Sequence, residues 1–222
     1  MISVEQQQHL DLFVDSSRWP RKPYCGDNKG AHNIRTLRSA IKRPYIQANP
    51  PHLRVWSIYD VDRAGGALAW DDAGLPPPSW AAANRENAHA HLVWGLTAPV
   101  LVDSPDMRQG PLRYLCAVEA AFRERLQADQ GYSGLITKNP AHPLWRTLRG
   151  PQLAYELGEL AGSFNRFVEK IHGLVRQIAE MTTQLTGLVG EVAAQAQRSE
   201  QWLDQALDSM VSGFLLLDSQ QR

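Results

Sequence analysis

The sequence predicts an α+β domain over residues 1–150, followed by a helical, coiled-coil extension over residues 151–222. Three observations carry that reading. Two β-branched and aromatic stretches, Leu53–Asp62 and His89–Leu96, have strand character. Residues 110–127 place Leu112, Leu115, Ala117, Val118, Ala121, Phe122 and Leu126 broadly on one helical stripe. Beyond residue 152 there is no proline, and apolar residues return every seven positions.

Taken in order, residues 1–17 suit a short helix, and Pro20, Pro23, Gly26 and Gly30 then punctuate a basic loop. A helix is expected near 33–43, stopped by Pro44. The strand Leu53–Asp62 follows Pro50-Pro51 and is closed by Gly65-Gly66. Residues 71–86, with three consecutive prolines from Pro76, are expected to cross the surface as a loop. After the second strand and the 110–127 helix, Tyr132–Ile136 is expected as a third strand, leading into the turn Lys138-Asn139-Pro140. Strands, then helix, then strand in so short a span point to one α+β layer structure.

The tail differs in character. Phe164, Ile171, Ile178, Leu185 and Val192 occupy one heptad position, and Phe167, Leu174, Met181 and Leu188 the position three residues on. This is the seam of a long helix that pairs with another, with a homodimer through 160–195 expected. A helical hairpin folding back is the alternative. Gly158, Gly162, Gly173, Gly187 and Gly190 each weaken the helix.

The zero formal net charge hides a division: residues 1–150 hold 18 Lys/Arg against 14 Asp/Glu, and residues 151–222 hold 5 against 9. The bases concentrate in 18–54, where Arg21, Lys22, Lys29, Arg35, Arg38, Lys42 and Arg43 are candidates to track a DNA backbone. Two cysteines, Cys25 and Cys116, far apart, make a disulfide framework or structural zinc site improbable. No basic segment leads into an apolar run at the amino terminus, and no apolar stretch approaches the ~20 residues of a membrane helix. A cytoplasmic protein is expected.

Asp60 and Asp62 stand two apart on a strand, so both side chains leave one face with α-carbons about 6.5 Å apart. Carboxylates so placed suit one or two hard divalent cations, Mg²⁺ or Mn²⁺; an exposed acidic strand end is the plainer reading. His89 and His91 repeat the spacing on the second strand, where imidazoles hold a metal or a triphosphate, or are structural. Lys138, in a loop just past a strand, suits phosphate, although surface lysines are common.

Six segments in order resemble the ColE2-type plasmid replication proteins, the replicase family, over about residues 20–160. They are Lys22-Pro-Tyr-Cys25, Tyr59-Asp-Val-Asp-Arg63, Ala88-His-Ala-His-Leu-Val-Trp94, Leu112-Arg-Tyr-Leu-Cys-Ala-Val-Glu119, Tyr132-Ser-Gly-Leu-Ile-Thr-Lys-Asn-Pro140 and Ala141-His-Pro-Leu-Trp145. That family is similar to the archaeo-eukaryotic primases. The resemblance implies a primase-like catalytic domain with a mixed or antiparallel sheet and flanking helices. It also implies a metal-dependent nucleotidyltransferase that initiates plasmid replication by joining nucleoside triphosphates into a short primer on a DNA template.

By resemblance, Asp60 and Asp62 are the metal-ligating pair and His91 the strand histidine at the incoming nucleotide. Asp129 is the chosen third acid, with Asp103 and Asp106 competing. Two divalent ions, Mg²⁺ or Mn²⁺, would sit among Asp60, Asp62 and Asp129, with Arg63, His89, Lys138 and Asn139 beside the nucleotide. Members of the family continue into a small helical domain and an origin-binding region, where this chain has an acidic heptad helix; residues 206–218 weakly resemble the helix-to-strand start of a PAS domain.

Two other functions compete. A rolling-circle nickase would use His89 and His91 with Tyr114 or Tyr132 as nucleophile, but leaves Asp60 and Asp62 without a role. A non-catalytic protein that binds DNA or nucleotide, dimerised by its tail, is the second.

Overall fold

Two antiparallel sheets of four strands each form among the described residues, which in this computed structural model are Phe13, 15–30 and 32–219, the side chains of Phe164, Phe167 and 211–219 excepted. The first sheet contains β1 (Tyr24–Gly26), β2 (Asn33–Ile34), β3 (Tyr45–Ile46) and β7 (Thr137–Lys138), in the order β2-β1-β3-β7. The second contains β4 (Leu53–Val61), β5 (Trp80–Asn84), β6 (Ala90–Leu101) and β8 (Trp145–Arg149), in the order β4-β6-β5-β8. The helices are α1 (Leu37–Ala40), α2 (Ala69–Asp72), α3 (Gln109–Leu126) and α4 (Leu157–Ser219).

The period of two along a strand sorts the second sheet's side chains onto two cores. Trp56, Ile58, Trp80, Ala82 and Val93 pack with Cys25 and Ile46 of the first sheet. Tyr59, Val61, Ala81, Leu92, Trp94 and Leu96 take the other face, against Leu115, Val118, Phe122 and Leu126 of α3. The sheet is therefore apolar on both sides, which explains why β4 and β6 read as nearly continuous hydrophobic runs rather than alternating ones.

β4 carries a bulge between Arg54 and Trp56 that interrupts its pairing with β6. Asn49 fills the gap. Its buried side-chain oxygen accepts from the backbone N–H of Val55 and of Trp56, each at 2.8 Å, and its amide donates to the Trp56 carbonyl at 2.8 Å. Gly95 of β6 lies so close to neighbouring chain that a Cβ there would stand 2.3 Å from the Leu153 carbonyl oxygen.

The elements differ from the sequence expectation in several places. The expected helix near 33–43 is reduced to the four residues of α1, because Asn33 and Ile34 pair with β1 instead. The expected 71–86 loop contains the strand β5, central in its sheet; Trp-Ala-Ala-Ala-Asn lacks the β-branched signal because small residues fit its buried position. Tyr132–Ile136 is not a strand: the paired residues are Thr137 and Lys138. Of the expected 1–17 helix, residues 1–12 and 14 lie outside the described residues, and Ser16–Arg18 forms a 3₁₀ turn capped by Asp15.

The chain divides into two units at Phe167. The first extends beyond residue 150 because Tyr155 and Leu160 are buried in the α3-facing core. The second, from Val168, is the continuing helix α4, which remains helical through Ser219 where a helix-to-strand transition was expected. Along it Ile171, Leu174, Ile178, Met181, Leu185, Leu188 and Val192 are all exposed. Among the described residues, no helix is long and apolar enough to cross a membrane.

Asn49→Ala removes the partner of two buried backbone donors and one acceptor at once. Unsatisfied buried groups cost about 1–3 kcal/mol each, so a loss of about 3 kcal/mol is expected. Urea denaturation, read by tryptophan fluorescence, measures it; an unshifted midpoint would refute the bulge-filling role.

Candidate active site

The register of β4 against β6 sets the centre of the site by placing Asp60 directly opposite His91. Both project toward the first sheet, at the end of the apolar layer, and both are buried, with side chains 3% and 1% exposed. The first sheet supplies Lys138 from β7, whose Nζ is 3.6 Å from Asp60 Oδ1 and whose side chain is 4% exposed. Lys29, on the hairpin between β1 and β2, reaches the other oxygen: its Nζ is 3.4 Å from Asp60 Oδ2.

His91 is oriented from β7. Its Nδ1 lies 2.9 Å from Thr137 Oγ1 and accepts the Lys138 backbone N–H at 3.3 Å. With Nδ1 an acceptor, the neutral ring carries its proton on Nε2. That nitrogen stands 3.2 Å from Asp60 Oδ1, so the ring faces the carboxylate directly. Burial pushes the His91 imidazole down to about 4, against the opposing pull of Asp60. Burial alone would raise the Asp60 carboxyl, but His91, Lys138 and Lys29 outweigh it and hold the group well below the usual carboxylate range. Burial lowers Lys138 from its ordinary value, with Asp60 opposing.

A cavity of roughly 380 Å³ opens beside this cluster. Asp60, Asp62 and Asp129 line it together with His91, Lys29 and His32, and Tyr45 and Leu135 add apolar wall. Asp129 arrives there because α3 ends with Gln127 in the left-handed region (φ 49°) and because the Asp129 backbone N–H donates to the Asp60 carbonyl at 2.8 Å. Asp103 and Asp106 do not line this cavity; Asp103 lies near His52, and Asp106 lines a separate depression beside Arg108.

The remaining sequence candidates fall into different places. Asp62 lies just past the end of β4, 49% exposed, its Oδ1 3.2 Å from Nδ1 of His89. Arg63 turns away and donates to the Leu126 carbonyl at the end of α3. Lys138 is a buried strand residue, not a loop lysine, because β7 pairs with β3. Asn139 is fully buried and its side chain is already committed: the amide donates to the Ile41 and Arg43 carbonyls, and the oxygen accepts from Ala141 N–H. It braces the loop before β3 and has no free donor for a nucleotide. Arg21, Lys22, Arg35, Arg38, Lys42 and Arg43 are exposed, and Nη1 of Arg43 donates to both oxygens of Asp27, at 3.0 and 2.8 Å. Lys29 departs from these bases by entering the cavity.

His32 and Tyr45 were not among the site candidates, and their spacing in the sequence carries no motif that marks them; Tyr132, considered only as a nickase nucleophile, also lines the cavity. The Tyr132 hydroxyl donates to the Ile136 carbonyl at 2.7 Å, and burial raises its phenol well above the ordinary value, so it is poorly placed as a nucleophile. Tyr114 lies on α3, outside this cavity. Neither tyrosine supports the nickase alternative.

The donor set fits a hard divalent cation in kind: three carboxylates line one cavity, and Asp60 Oδ1 has no well-aligned hydrogen bond. As oriented, no three metal-ligating side chains among the described residues close around one point. Asp62 and Asp129 are both exposed, Asp62 against His89 and Asp129 accepting from the Gly131 N–H.

Residues 18–164 match a family model described as the Replicase family. The primase-polymerase (PrimPol) AEP domain of cyanophage S-2L superposes with a TM-score of 0.49 and 14% identity, covering 72% of this chain and 96% of that one. Separately, 44 residues are 75% identical to the methyl-accepting chemotaxis protein CtpM of Pseudomonas aeruginosa. That match takes up 19% of this chain and spans only 8% of the length of CtpM.

With a buried neutral imidazole, the sign of the pH response follows. Its folded-state value lies below the ordinary ~6.5, so its contribution to stability is complete above that pH and is lost as pH falls toward about 4. Without added divalent metal, the urea midpoint is expected to fall over this window, and the fall to shrink in His91→Gln. His142 is shifted in the same direction by burial, which makes the variant the necessary comparison. An identical slope in both proteins would mean that His91 is not the group responsible.

Proposed function

The chain belongs to the replicase family, and from that premise we propose that it is a metal-dependent nucleotidyltransferase that makes primers for plasmid replication in the cytoplasm. The observation that carries this is the convergence of Asp60, Asp62, Asp129 and His91 on one cavity. In this reading the three carboxylates hold two Mg²⁺ or Mn²⁺ ions. Such ions, when bound, lower the pKa of a primer 3′-hydroxyl and neutralise charge on a triphosphate.

The chain's own groups do the rest. Lys138 and His91 keep Asp60 ionised and aimed into the cavity. With Nδ1 occupied by the β7 backbone and Thr137, His91 presents Nε2 to Asp60 Oδ1. His89 orients Asp62. Arg21, Lys22, Arg35, Arg38 and Lys42 track the template, an interaction that weakens as salt rises. The exposed heptad seam from Ile171 to Val192 supports a homodimer through the tail.

Incubation with single-stranded DNA, labelled nucleoside triphosphates and Mn²⁺ is expected to yield short oligonucleotides. Asp60→Ala/Asp62→Ala should lower the yield at least ~10³-fold, in line with the loss of groups that stabilise transition-state charge. DNA binding with no product from the wild type would favour the non-catalytic regulatory reading instead.

The tail is tested separately by sedimentation. A single population at twice the chain mass is expected, converting to monomer in Ile178→Lys/Leu185→Lys. A wild-type monomer would exclude the dimer.

A further inference from the structure

Two lysines reach Asp60, and they are not equivalent. Lys138 comes from inside β7, is 4% exposed and meets Oδ1. Lys29 comes from the hairpin between β1 and β2, is 62% exposed along its side chain, and meets Oδ2 at 3.4 Å. A buried lysine cannot withdraw without stranding its charge. An exposed one can, because its stem already lies in water and its ammonium has only to swing along the wall.

A divalent cation drawn to the Asp60 carboxylate and the Lys29 ammonium at Oδ2 exclude each other. Both are positive, and at the 3–4 Å separations involved their repulsion is strong wherever water is sparse. The loop Asp27-Asn28-Lys29-Gly30 keeps the displaced ammonium at the rim of the same cavity, where His32 also stands. The Nε2 atom of His32 is buried and makes no hydrogen bond. A cation that has lost its carboxylate, beside an imidazole lacking a partner, is suited to an anion rich in acceptor oxygens.

We propose that Lys29 is an exchangeable counter-ion of the site: it caps Asp60 while the metal is absent, yields Oδ2 to a divalent cation, and then joins His32 in holding the phosphates of the incoming nucleoside triphosphate. This rests on the nucleotidyltransferase reading, and it reassigns Lys29 from the DNA-tracking bases to the nucleotide. Lys29 is thus a positioning residue for Asp60 before binding and a ligand of the substrate after it.

The two roles predict changes of opposite sign in one variant, which a merely structural lysine would not give. The full chain and Lys29→Met are titrated with Mn²⁺ alone, followed by electron paramagnetic resonance. They are then titrated with ATP and with dATP at saturating Mn²⁺, followed by calorimetry. Lys29→Met is expected to bind Mn²⁺ about three- to tenfold more tightly, since its competitor is gone, and the triphosphates about tenfold more weakly. Lys29→Arg is expected to stay close to wild type in the second titration. His32→Ala should weaken the triphosphates while leaving Mn²⁺ affinity unchanged.

Shifts of the same sign, or no shift, in a wild type that binds both ligands would overturn the counter-ion role alone. A wild type that binds neither Mn²⁺ nor triphosphate would overturn the reading of the site itself.

Discussion

The burial of one carboxylate organises the whole first unit. Asp60 belongs to the second sheet, yet one of its two cationic neighbours, Lys138, belongs to the strand β7 of the first, and His91 beside it is oriented by that same strand. The apolar layer between the sheets therefore ends in a polar seam in which Asp60 meets His91 and Lys138. A buried ion pair is weak as a source of stability, but removing one member leaves a charge stranded at a cost of about 3–5 kcal/mol. Such a seam penalises sliding far more than it rewards correct assembly, which is what a site requiring fixed side-chain positions needs.

Other parts of the fold serve this junction. Asn139 holds the approach to β3 through the Ile41 and Arg43 carbonyls, and so fixes where β7 pairs. Arg63 ties the carbonyl end of α3 to the segment after β4, and the left-handed Gln127 then directs Asp129 back beside Asp60. Asn49 lets β4 bulge without leaving donors unpaired. None of these residues needs to touch substrate. Each converts a loop into a fixed support for a carboxylate or an imidazole.

The sequence disclosed the strands that carry Asp60 and His91 through their long β-branched and aromatic runs, and the helix α3 through its apolar stripe. It did not disclose β5 or the two-residue strands β2, β3 and β7, whose pairing is decided by partners distant in the chain and not by local preference. That is also why Lys138 resembled a loop residue: its strand exists only because Tyr45 lies opposite. Lys29 was indistinguishable from the other bases of 18–54 by composition, since entering the cavity is a property of the hairpin that bears it. Arg63 and Asn139, both inside a recognisable motif, turn out to bond the backbone, Arg63 through one guanidinium nitrogen and Asn139 through its whole amide.

The charge balance of the cavity explains how three carboxylates share one opening. Three carboxylates drawn to one opening would repel one another if nothing offset them. Here Asp60 has Lys29 and Lys138, Asp62 has His89, and Asp129 turns its oxygen to the Gly131 N–H. The buried part of this compensation, Lys138, is fixed, and the exposed parts, Lys29 and His89, are displaceable. For a cation to approach the three carboxylates, only groups already in contact with water would have to move.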